Sequence, residues 1–339
     1  MQRKLASVVR VTAVTPIPNA DRIELARVAG WQCVVKKSEV RPGELGVYFE
    51  IDAVPADSER FSWLWQPKQA TAPVPRPASF RIRTMTLRGC LSQGLLMPLA
   101  SLGLSDVNEG DDLTERLGVT KYEPPPPSGM GEWRGPFPGI VPKTDEQRVQ
   151  STPGVLDELR GKPFVATVKM DGTSATFVMV DGELHVCGRN HSILEGENLY
   201  WFVAKKRRIA DVLSRHPELA IQGEVVGPGI QKNPVGLKEK DLFVFNVYDV
   251  REGRHHGDAE LRTFCATNGL ECVPLAMQGE SFDETLESLL TKAEGRYAGT
   301  DNQREGIVIR PRETMRSEVL AGRLSFKAIS NAYLLDERD

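Results

Sequence analysis

The 339-residue sequence lacks three features that would each place it in a special class of protein. It has only five cysteines, odd in number, widely spaced and without a C-x-x-C pair, so it predicts neither a disulfide framework nor a zinc site. No uninterrupted apolar run reaches membrane-spanning length, and we expect a cytoplasmic protein with no membrane partner. The net charge is only -3, which argues against a protein that coats nucleic acid.

The small net charge conceals an uneven distribution of charged residues. Residues 1–100 hold 14 Lys and Arg against 8 Asp and Glu, a surplus of six that leaves -9 for the remainder. A basic first third beside an acidic remainder is consistent with a nucleic-acid-holding module joined to a metal-using one. A solvated charged surface explains the same numbers equally well.

Short β-branched segments separated by turns occupy the first 54 residues. This spacing predicts a small barrel, and a turn at Pro18-Asn19-Ala20-Asp21 followed by one at Pro42-Gly43 resembles the OB-fold modules of some tRNA-binding proteins. A predicted strand from Phe80 to Gly89 places Arg81 and Arg83 on one face, because side chains alternate along a strand. We predict that these two arginines bind nucleic acid, while an edge strand protected by charge is the alternative.

Proline and glycine are concentrated between residues 124 and 142, which predicts an extended linker. The chain therefore divides into an N-terminal domain at 1–123, a Pro/Gly-rich linker at 124–142 and a second, mixed α+β domain at 143–339. Residues 143–148 are compatible with a helix start. In the second domain we predict helices at 153–159 and about 198–215, and strands at 164–168, 174–180, 183–187, 219–224, 242–248, 306–310 and 324–329.

Lys169 ends the apolar, β-branched segment Val165–Val168 and comes just before the turn-forming pair Asp171-Gly172. An amine that is partly desolvated at a strand end can be nucleophilic at neutral pH, whereas an exposed lysine remains protonated. Three further charged residues, Glu224, Glu305 and Lys327, lie within or against apolar strands. An ionised group there is costly unless it is paired or meets a ligand. A structural salt bridge explains any one of them; together they indicate a site.

The order of these segments resembles that of ATP-dependent polynucleotide ligases over the whole second domain. Lys169-Met170-Asp171-Gly172 resembles the family's nucleophile motif, and Gly223-Glu224 resembles the motif whose glutamate binds the ribose. Other segments match later motifs of the family: Gly188-Arg189-Asn190, Phe243-Val244-Phe245-Asn246, Arg304-Glu305-Gly306-Ile307-Val308-Ile309-Arg310, and the distal Lys327.

The resemblance implies a role for each matching residue. Lys169, Glu305 and Lys327 are expected to be catalytic, and Asp171 and Glu305 are expected to bind the metal. The expected nucleotide-binding residues are Val168, Lys169, Arg189 near the ribose or phosphate, Glu224 on the ribose, Phe245 stacked on the adenine, and Lys327 at the α-phosphate. The cofactors implied are ATP and a divalent ion, Mg²⁺ or Mn²⁺.

With the barrel included, the layout is similar to that of the Deinococcus-type RNA ligases. The implied fold is α+β and β-rich: an N-terminal OB-fold barrel that binds nucleic acid, followed by an adenylyltransferase domain of antiparallel sheets with flanking helices. Two positions depart from the family pattern. Ser325 stands where the last motif often has its first lysine, and Arg310 ends the acidic motif where many ligases have lysine, so the role of Arg310 is open.

The resemblance predicts a monomeric ATP-dependent RNA ligase acting in nucleic-acid repair. Lys169 would form lysyl-AMP, pass the AMP to a 5′-phosphate, and seal a nicked duplex with RNA on the 3′-OH side. DNA ligases and capping-type nucleotidyltransferases share the lysine motif, but a further OB domain usually follows their distal lysine. Because only 12 residues follow Lys327 here, we expect an RNA ligase. The alternative from another class is a catalytically inactive nucleic-acid-binding protein.

Overall fold

The computed structural model describes residues 3–64, 80–123 and 129–336. The chain divides into two compact units. The first comprises the described residues up to 123 together with 150–153 and 334–336, and the second comprises 129–149 and 154–333. Within the described part of the chain, no helix has the length and apolar character needed to cross a membrane.

The first unit is built on a five-stranded antiparallel sheet with strand order β3-β2-β1-β4-β8. Its strands, numbered in chain order, are β1 Ala6–Pro16, β2 Ile23–Val28, β3 Trp31–Lys36, β4 Leu45–Phe49, β5 Ala53–Val54, β6 Thr84–Leu87, β7 Cys90–Gln93, β8 Leu95–Pro98 and β9 Thr120–Lys121. Two apolar clusters fill the unit, one around Phe49 and Phe61 and the other around Trp31 and Tyr48. The long, bulged strand β1 pairs with both β2 and β4, so it curls the sheet as a small barrel requires.

The second unit contains two larger sheets. One has the order β10-β15-β14-β13-β16-β17-β18 with β19 beside β17, and the other has the order β11-β24-β21-β12-β20. The strands are β10 Trp133–Pro136, β11 Gln147–Arg148, β12 Phe164–Lys169, β13 Thr173–Val180, β14 Glu183–Cys187, β15 His191–Ile193, β16 Leu219–Val226, β17 Asp241–Asp249, β18 Arg254–His255, β19 Glu271–Cys272, β20 Leu275–Gly279, β21 Gly306–Pro311, β22 Arg316–Ser317, β23 Gly322–Arg323 and β24 Phe326–Ile329. Most neighbouring strands are antiparallel, as predicted; the pairs β11–β24 and β17–β19 are parallel.

Six α-helices lie among the described residues: α1 Val155–Leu159, α2 Leu199–Lys206, α3 Ile209–Arg215, α4 Asp258–Asn268, α5 Leu286–Ala293 and α6 Asn331–Asp336. Helices α2, α3 and α4 cover one face of the eight-stranded sheet, and α1 and α5 cover one face of the five-stranded sheet. The single helix predicted at about 198–215 is wrong, because Arg208 has a φ of 52° and ends one helix before the next begins.

Three sequence predictions differ from the structure along the connecting segments. Residues 143–148 contain no helix, and Gln147–Arg148 is a strand paired with β24. The predicted linker contains strand β10, which pairs with β15 in the second unit. The strand predicted from Phe80 begins only at Thr84, so Arg81 and Arg83 precede it.

The strand register places the functional segments on the uncovered faces of the two large sheets. In the five-stranded sheet, Ile307, Ile309 and Phe326 face the core beneath α1 and α5. Residues alternate across a strand, so Lys169, Lys327 and Arg310 share the opposite face. In the eight-stranded sheet, Val225 faces the helices and Glu224 faces away from them.

Candidate active site

Lys169 is the last residue of β12, at the point where the chain leaves one sheet for the other. Its Nζ donates a hydrogen bond to Glu305 Oε2 at 2.6 Å. Glu224 and Asp171 are close enough to act on its charge. We call Lys169, Asp171, Glu224 and Glu305 the amine cluster. Four residues separated by up to 136 positions in the chain thus form one group with three carboxyls around one amine.

The pKa of Lys169 is raised in this cluster, contrary to the direction expected from desolvation alone. Burial lowers the pKa of the amine, but Glu305, Glu224 and Asp171 favour the ammonium form and outweigh it. The lysine is therefore protonated and paired in the protein alone. It can become a nucleophile only when the negative charge around it is compensated.

The pKa of Glu224 is also raised in this cluster. Burial raises its pKa to about 8, Lys169 opposes that rise, and the charges of Glu305 and Asp171 add to it. Glu224 is therefore largely protonated at neutral pH, and a protonated carboxyl is a hydrogen-bond donor as well as an acceptor. Such a group can bind a sugar hydroxyl without adding charge to the cluster.

Two glycines of the site are required by close backbone approach. A Cβ at Gly172 would collide with the carbonyl oxygen of Val225, and one at Gly306 would collide with the carbonyl oxygen of Ala328. Gly306 also has a φ of 154°, which a side chain disfavours. The glycines that follow Asp171 and Glu305 therefore allow neighbouring strands to close around the amine cluster.

Two tyrosines hold the amine cluster and were not identified from the sequence. The Tyr297 hydroxyl donates to the Lys169 carbonyl at 2.9 Å and accepts from the Glu305 N–H at 3.2 Å. It joins the two strand ends just beyond their last backbone pair, Lys169 with Gly306. The Tyr333 hydroxyl donates to Asp171 Oδ2 at 2.9 Å. Both tyrosines lie outside the strand motifs, so no sequence pattern marked them.

Phe245 occupies a β-bulge on β17, on the side of the sheet that carries Glu224. The register between β16 and β17 shifts between Gln222 and Gly223, so β17 contains one extra residue there. Phe245 packs in a small apolar cluster with Met170 and Val168. Its half-buried ring adjoins the nucleophile strand, as an adenine platform requires.

The remaining predicted nucleotide contacts lie at different distances from the amine. Arg189 is half-buried and donates to both carboxylate oxygens of Asp145 at 2.8 Å, and its charge also acts on Glu224. Val168 adjoins the nucleophile, and its backbone N–H donates to the Pro274 carbonyl at 2.8 Å. Lys327 pairs with Val308 and faces the same side as Lys169. The structure thus brings the predicted set to one region of the second unit.

A second charged group lies on the same face of the five-stranded sheet. Arg310 donates from Nε to Ser325 Oγ at 2.8 Å, from NH1 to the Phe245 carbonyl at 2.8 Å and from NH2 to Glu146 Oε1 at 3.0 Å. Ser325 Oγ also donates to Glu146 at 2.7 Å. Arg323 donates to Asn246 Oδ1 at 2.8 Å, and the charges of Arg310 and Glu146 both act on its pKa. We call Glu146, Arg310, Arg323 and Ser325 the arginine cluster.

The arginine cluster explains both departures from the family pattern. Ser325 is small enough to be bonded by Arg310 and Glu146 at once, and it is 4% exposed. A lysine there would add a third cation to the site. Burial and the charge of Arg310 lower the pKa of Arg323 to about 9. Burial together with Arg323 and Arg310 lowers the pKa of His255 to about 3.

The two arginines proposed for nucleic-acid binding lie in the first unit. Arg81 binds Asp52 Oδ1 at 2.7 Å and 3.0 Å, and its guanidinium stacks on Tyr122 at 4.5 Å. Its side chain is only 15% exposed. Ile82 and Thr84 are buried, so Arg81 and Arg83 still face one way, although they precede the strand. Contact with nucleic acid remains a prediction for both.

The amine cluster fits a hard divalent cation that is completed by its substrate. Among the residues described, no three His, Cys, Asp or Glu side chains form a group able to hold a metal ion. Asp171 and Glu305 nevertheless supply carboxylate oxygens beside Lys169. Mg²⁺ is usually held by one or two carboxylates plus substrate phosphates, so these residues fit such an ion without a closed cage.

Comparisons with known proteins agree with this geometry. The RNA ligase family model matches residues 162–329, and an OB-fold domain model matches residues 5–99. No curated protein sequence matches. Among solved structures, Naegleria gruberi RNA ligase with PPi is 37% identical, with a TM-score of 0.88 and 98% of each chain covered.

Two variants of the same Naegleria gruberi enzyme are similarly close. A lysine-to-alanine variant with ATP and Mn is 36% identical, with a TM-score of 0.87 and 98% of each chain covered. A glutamate-to-alanine variant with ATP and Mn is 36% identical, with a TM-score of 0.89, and 99% of this chain and 100% of that chain are covered.

Proposed function

The chain belongs to the RNA ligase family, and we propose that it is an ATP-dependent ligase that works through a lysyl-AMP intermediate on Lys169. The observation that carries the proposal is the 2.6 Å bond from Lys169 Nζ to Glu305 inside a cluster of three carboxyls. ATP and Mn accompany the similar Naegleria gruberi enzyme. In this chain, the carboxylates of Asp171 and Glu305 fit a divalent ion that also binds the phosphates of ATP.

In the first step, Lys169 Nζ attacks the α-phosphorus of ATP, a P–N bond forms and pyrophosphate leaves. The amine must first lose the proton that Glu305, Glu224 and Asp171 stabilise. The chemistry that a bound Mg²⁺ or Mn²⁺ supplies is charge compensation, both for the carboxylates of Asp171 and Glu305 and for the phosphates. The Tyr297 hydroxyl bonds the backbones of both Lys169 and Glu305, and so keeps the two residues at a fixed separation.

The other residues of the site bind and orient the nucleotide in this proposal. Phe245 stacks on the adenine and Val168 lines its pocket, Glu224 bonds the ribose, Arg189 contacts the ribose or a phosphate, and Lys327 offsets the charge of the α-phosphate. Correct alignment of nucleophile and leaving group supplies much of the rate of such a transfer.

In the later steps, AMP passes to a nucleic-acid 5′-phosphate, and an adjoining 3′-OH displaces it to form the phosphodiester. We propose that the substrate is a nicked duplex with RNA on the 3′-OH side, that the protein acts as a monomer, and that its role is repair. The OB-fold unit, with Arg81 and Arg83, would hold the duplex. Free thiols at all five cysteines support a cytoplasmic location.

Incubation with ATP labelled in the α-phosphate, Mn²⁺ and no nucleic acid tests the first step. We expect a covalent label on the wild type and none on Lys169→Ala. Lys162→Ala is the matched control, because Lys162 lies just before the same strand and its amine donates to the Glu158 carbonyl, outside the amine cluster. A wild type that takes no label, or a label that survives loss of Lys169, would refute the proposal.

Sealing assays then test the substrate. Nicks with ribose or deoxyribose at the 3′-OH end are compared in otherwise identical duplexes. We expect faster sealing with ribose. Equal or faster sealing of the deoxyribose end would contradict the proposed RNA preference, while leaving the lysyl-AMP chemistry intact.

A further inference from the structure

Trp133 is the most exposed large hydrophobic residue among those the structure describes, with 64% of its surface open to solvent. Its indole is not loosely placed. It stacks flat on the imidazole of His191, with ring centroids 3.7 Å apart and planes inclined by 10°. One face of the indole is therefore covered and held by His191, and the exposure belongs largely to the other face.

Strand pairing fixes this stack at an edge of the eight-stranded sheet. Trp133 begins β10, the terminal strand in the order, and His191 begins β15 beside it. Trp133 pairs with Ile193, two residues from His191 on the same strand, so the indole and the imidazole lie on one face of the sheet. Backbone pairing therefore brings the two rings together.

The stack is continuous with the active site along the chain. His191 directly follows Arg189 and Asn190, and the charge of Arg189 reaches Glu224 of the amine cluster. Asn190 is held on both sides: its carbonyl accepts from the Phe137 N–H at 3.2 Å, and its Oδ1 accepts from Lys143 Nζ at 2.9 Å. The pairing of Trp133 with Ile193 puts the stack on the face of the sheet that carries the core beneath α2, opposite to the face of Glu224.

We propose that Trp133, supported by His191, is a stacking site for a base of the RNA substrate at the edge of the eight-stranded sheet. The proposal rests on the RNA ligase function. An exposed, rigid aromatic face matches a nucleobase, and unpaired or splayed RNA bases are commonly bound by stacking on aromatic side chains.

Nearby cations suit the RNA backbone that would accompany the stacked base. Arg134 next to Trp133, and Arg189 two residues before His191, are both in ion pairs at the surface, with Glu183 and Asp145. Exposed pairs of this kind contribute little stability, so a phosphate can replace the carboxylate at low cost. Lys143 is a third cation, bonded to a neutral amide.

The test measures RNA binding and self-adenylylation separately. For Trp133→Ala we expect the Kd for a fluorescent nicked duplex containing RNA to rise about fivefold or more, since stacking contributes about 1–3 kcal/mol per base. Self-adenylylation with labelled ATP, which needs no RNA, should stay within about twofold of the wild type. Trp133→Phe should recover most of the affinity because it keeps an aromatic face.

Salt dependence separates stacking from charge. A stacked base releases no counterions, so Trp133→Ala should raise the Kd without changing the slope of log Kd against log salt concentration. Arg134→Ala should instead reduce that slope. Phe202→Ala is the matched control, because Phe202 is an exposed aromatic residue of the same unit that lies on helix α2 and not on the edge strand β10. We expect it to bind RNA like the wild type.

Each other outcome overturns the stacking site. An unchanged Kd for Trp133→Ala, or an equal rise for Phe202→Ala, would show that the indole does not contact RNA specifically. An equal loss of self-adenylylation in Trp133→Ala would show a structural role. A wild type that takes no label at all would instead refute the ligase function itself, which keeps the two failures distinguishable.

Discussion

Lys169 of the amine cluster and Arg310 of the arginine cluster lie on the same face of the five-stranded sheet, and their two clusters have opposite charge balance. The first has one cation among three carboxyls, and the second has two cations around one carboxylate. The first raises the pKa of its lysine, whereas the second lowers the pKa of the neighbouring His255 to about 3. The neighbouring charges therefore favour a positive charge at Lys169 and disfavour one at His255, although both residues lie in the second unit.

The two clusters also differ in how completely they are bonded. Lys169 has one recorded hydrogen bond from its amine, to Glu305, and that bond must break before the lysine can attack. Arg310 instead donates three hydrogen bonds, to Ser325, Phe245 and Glu146. A charged group that must exchange its hydrogen-bond partner is suited to catalysis. A buried charge with three hydrogen bonds instead stabilises the structure. From this comparison we propose catalysis for the first cluster and support of Phe245 for the second.

The largest expected effect is on stability, in the arginine cluster. Arg310→Met leaves Glu146 without its buried partner, and we expect the free energy of unfolding to fall by about 3–5 kcal/mol. Denaturant unfolding of the purified variant measures the change. Arg312→Met is the matched control, since Arg312 makes an exposed pair with Glu280, and it should cost less than about 1 kcal/mol. Equal costs for the two variants would remove the structural role of Arg310.

The next largest effect is on rate, in the amine cluster. Glu305→Gln removes the charge beside Lys169, and we expect self-adenylylation to slow by about 100-fold, the typical loss of one electrostatic contact to a transition state. Stability should change far less than in Arg310→Met. Single-turnover labelling measures the rate, and Glu280→Gln, an exposed glutamate, should behave like the wild type. A stable Glu305→Gln variant with normal labelling would contradict the catalytic assignment.

The pH dependence of stability tests whether burial, together with the charges of Arg323 and Arg310, keeps His255 neutral. Its folded-state pKa of about 3 lies below the ordinary value of 6.5, so the unfolded chain binds more protons between those values. Stability should therefore fall as the pH falls through that range, by about 2 kcal/mol between pH 8 and pH 5. His255→Gln should lack this part of the loss in denaturant unfolding at both pH values. An identical pH dependence would show that the pKa of His255 is not lowered in the folded protein.

The smallest effect concerns alignment within the amine cluster. Tyr297→Phe removes the hydroxyl that bridges Lys169 and Glu305, and we expect the adenylylation rate to fall about tenfold, or about 1.4 kcal/mol, with little change in the KM for ATP. Tyr48→Phe is the control, because it also removes a hydroxyl bonded to a buried carbonyl, that of Gln93 in the first unit. A rise in KM at constant rate would point to nucleotide binding instead.

Strands and the site residues on them were predictable because their signals are local. The hairpin between β13 and β14 follows from Asp181-Gly182, which both have positive φ, and the apolar strands follow from their composition. The helix across Arg208 was mispredicted because its apolar period continues through the break. Residues 143–148 were mispredicted because their bonds run to Asn190, Arg189 and Arg310, far along the chain.

By itself the sequence determined the order of motifs, and it marked Lys169 and the carboxyls that accompany it, since each lies within a few residues of a strand. Only the tertiary structure decided the direction of the Lys169 pKa, the partners of Arg310 and the tyrosines that hold the site. Those properties depend on distances between separate segments of the chain, such as Lys169 and Glu305, which are 136 positions apart. Charge interactions and hydrogen bonds vary steeply with such distances, which a linear pattern does not contain.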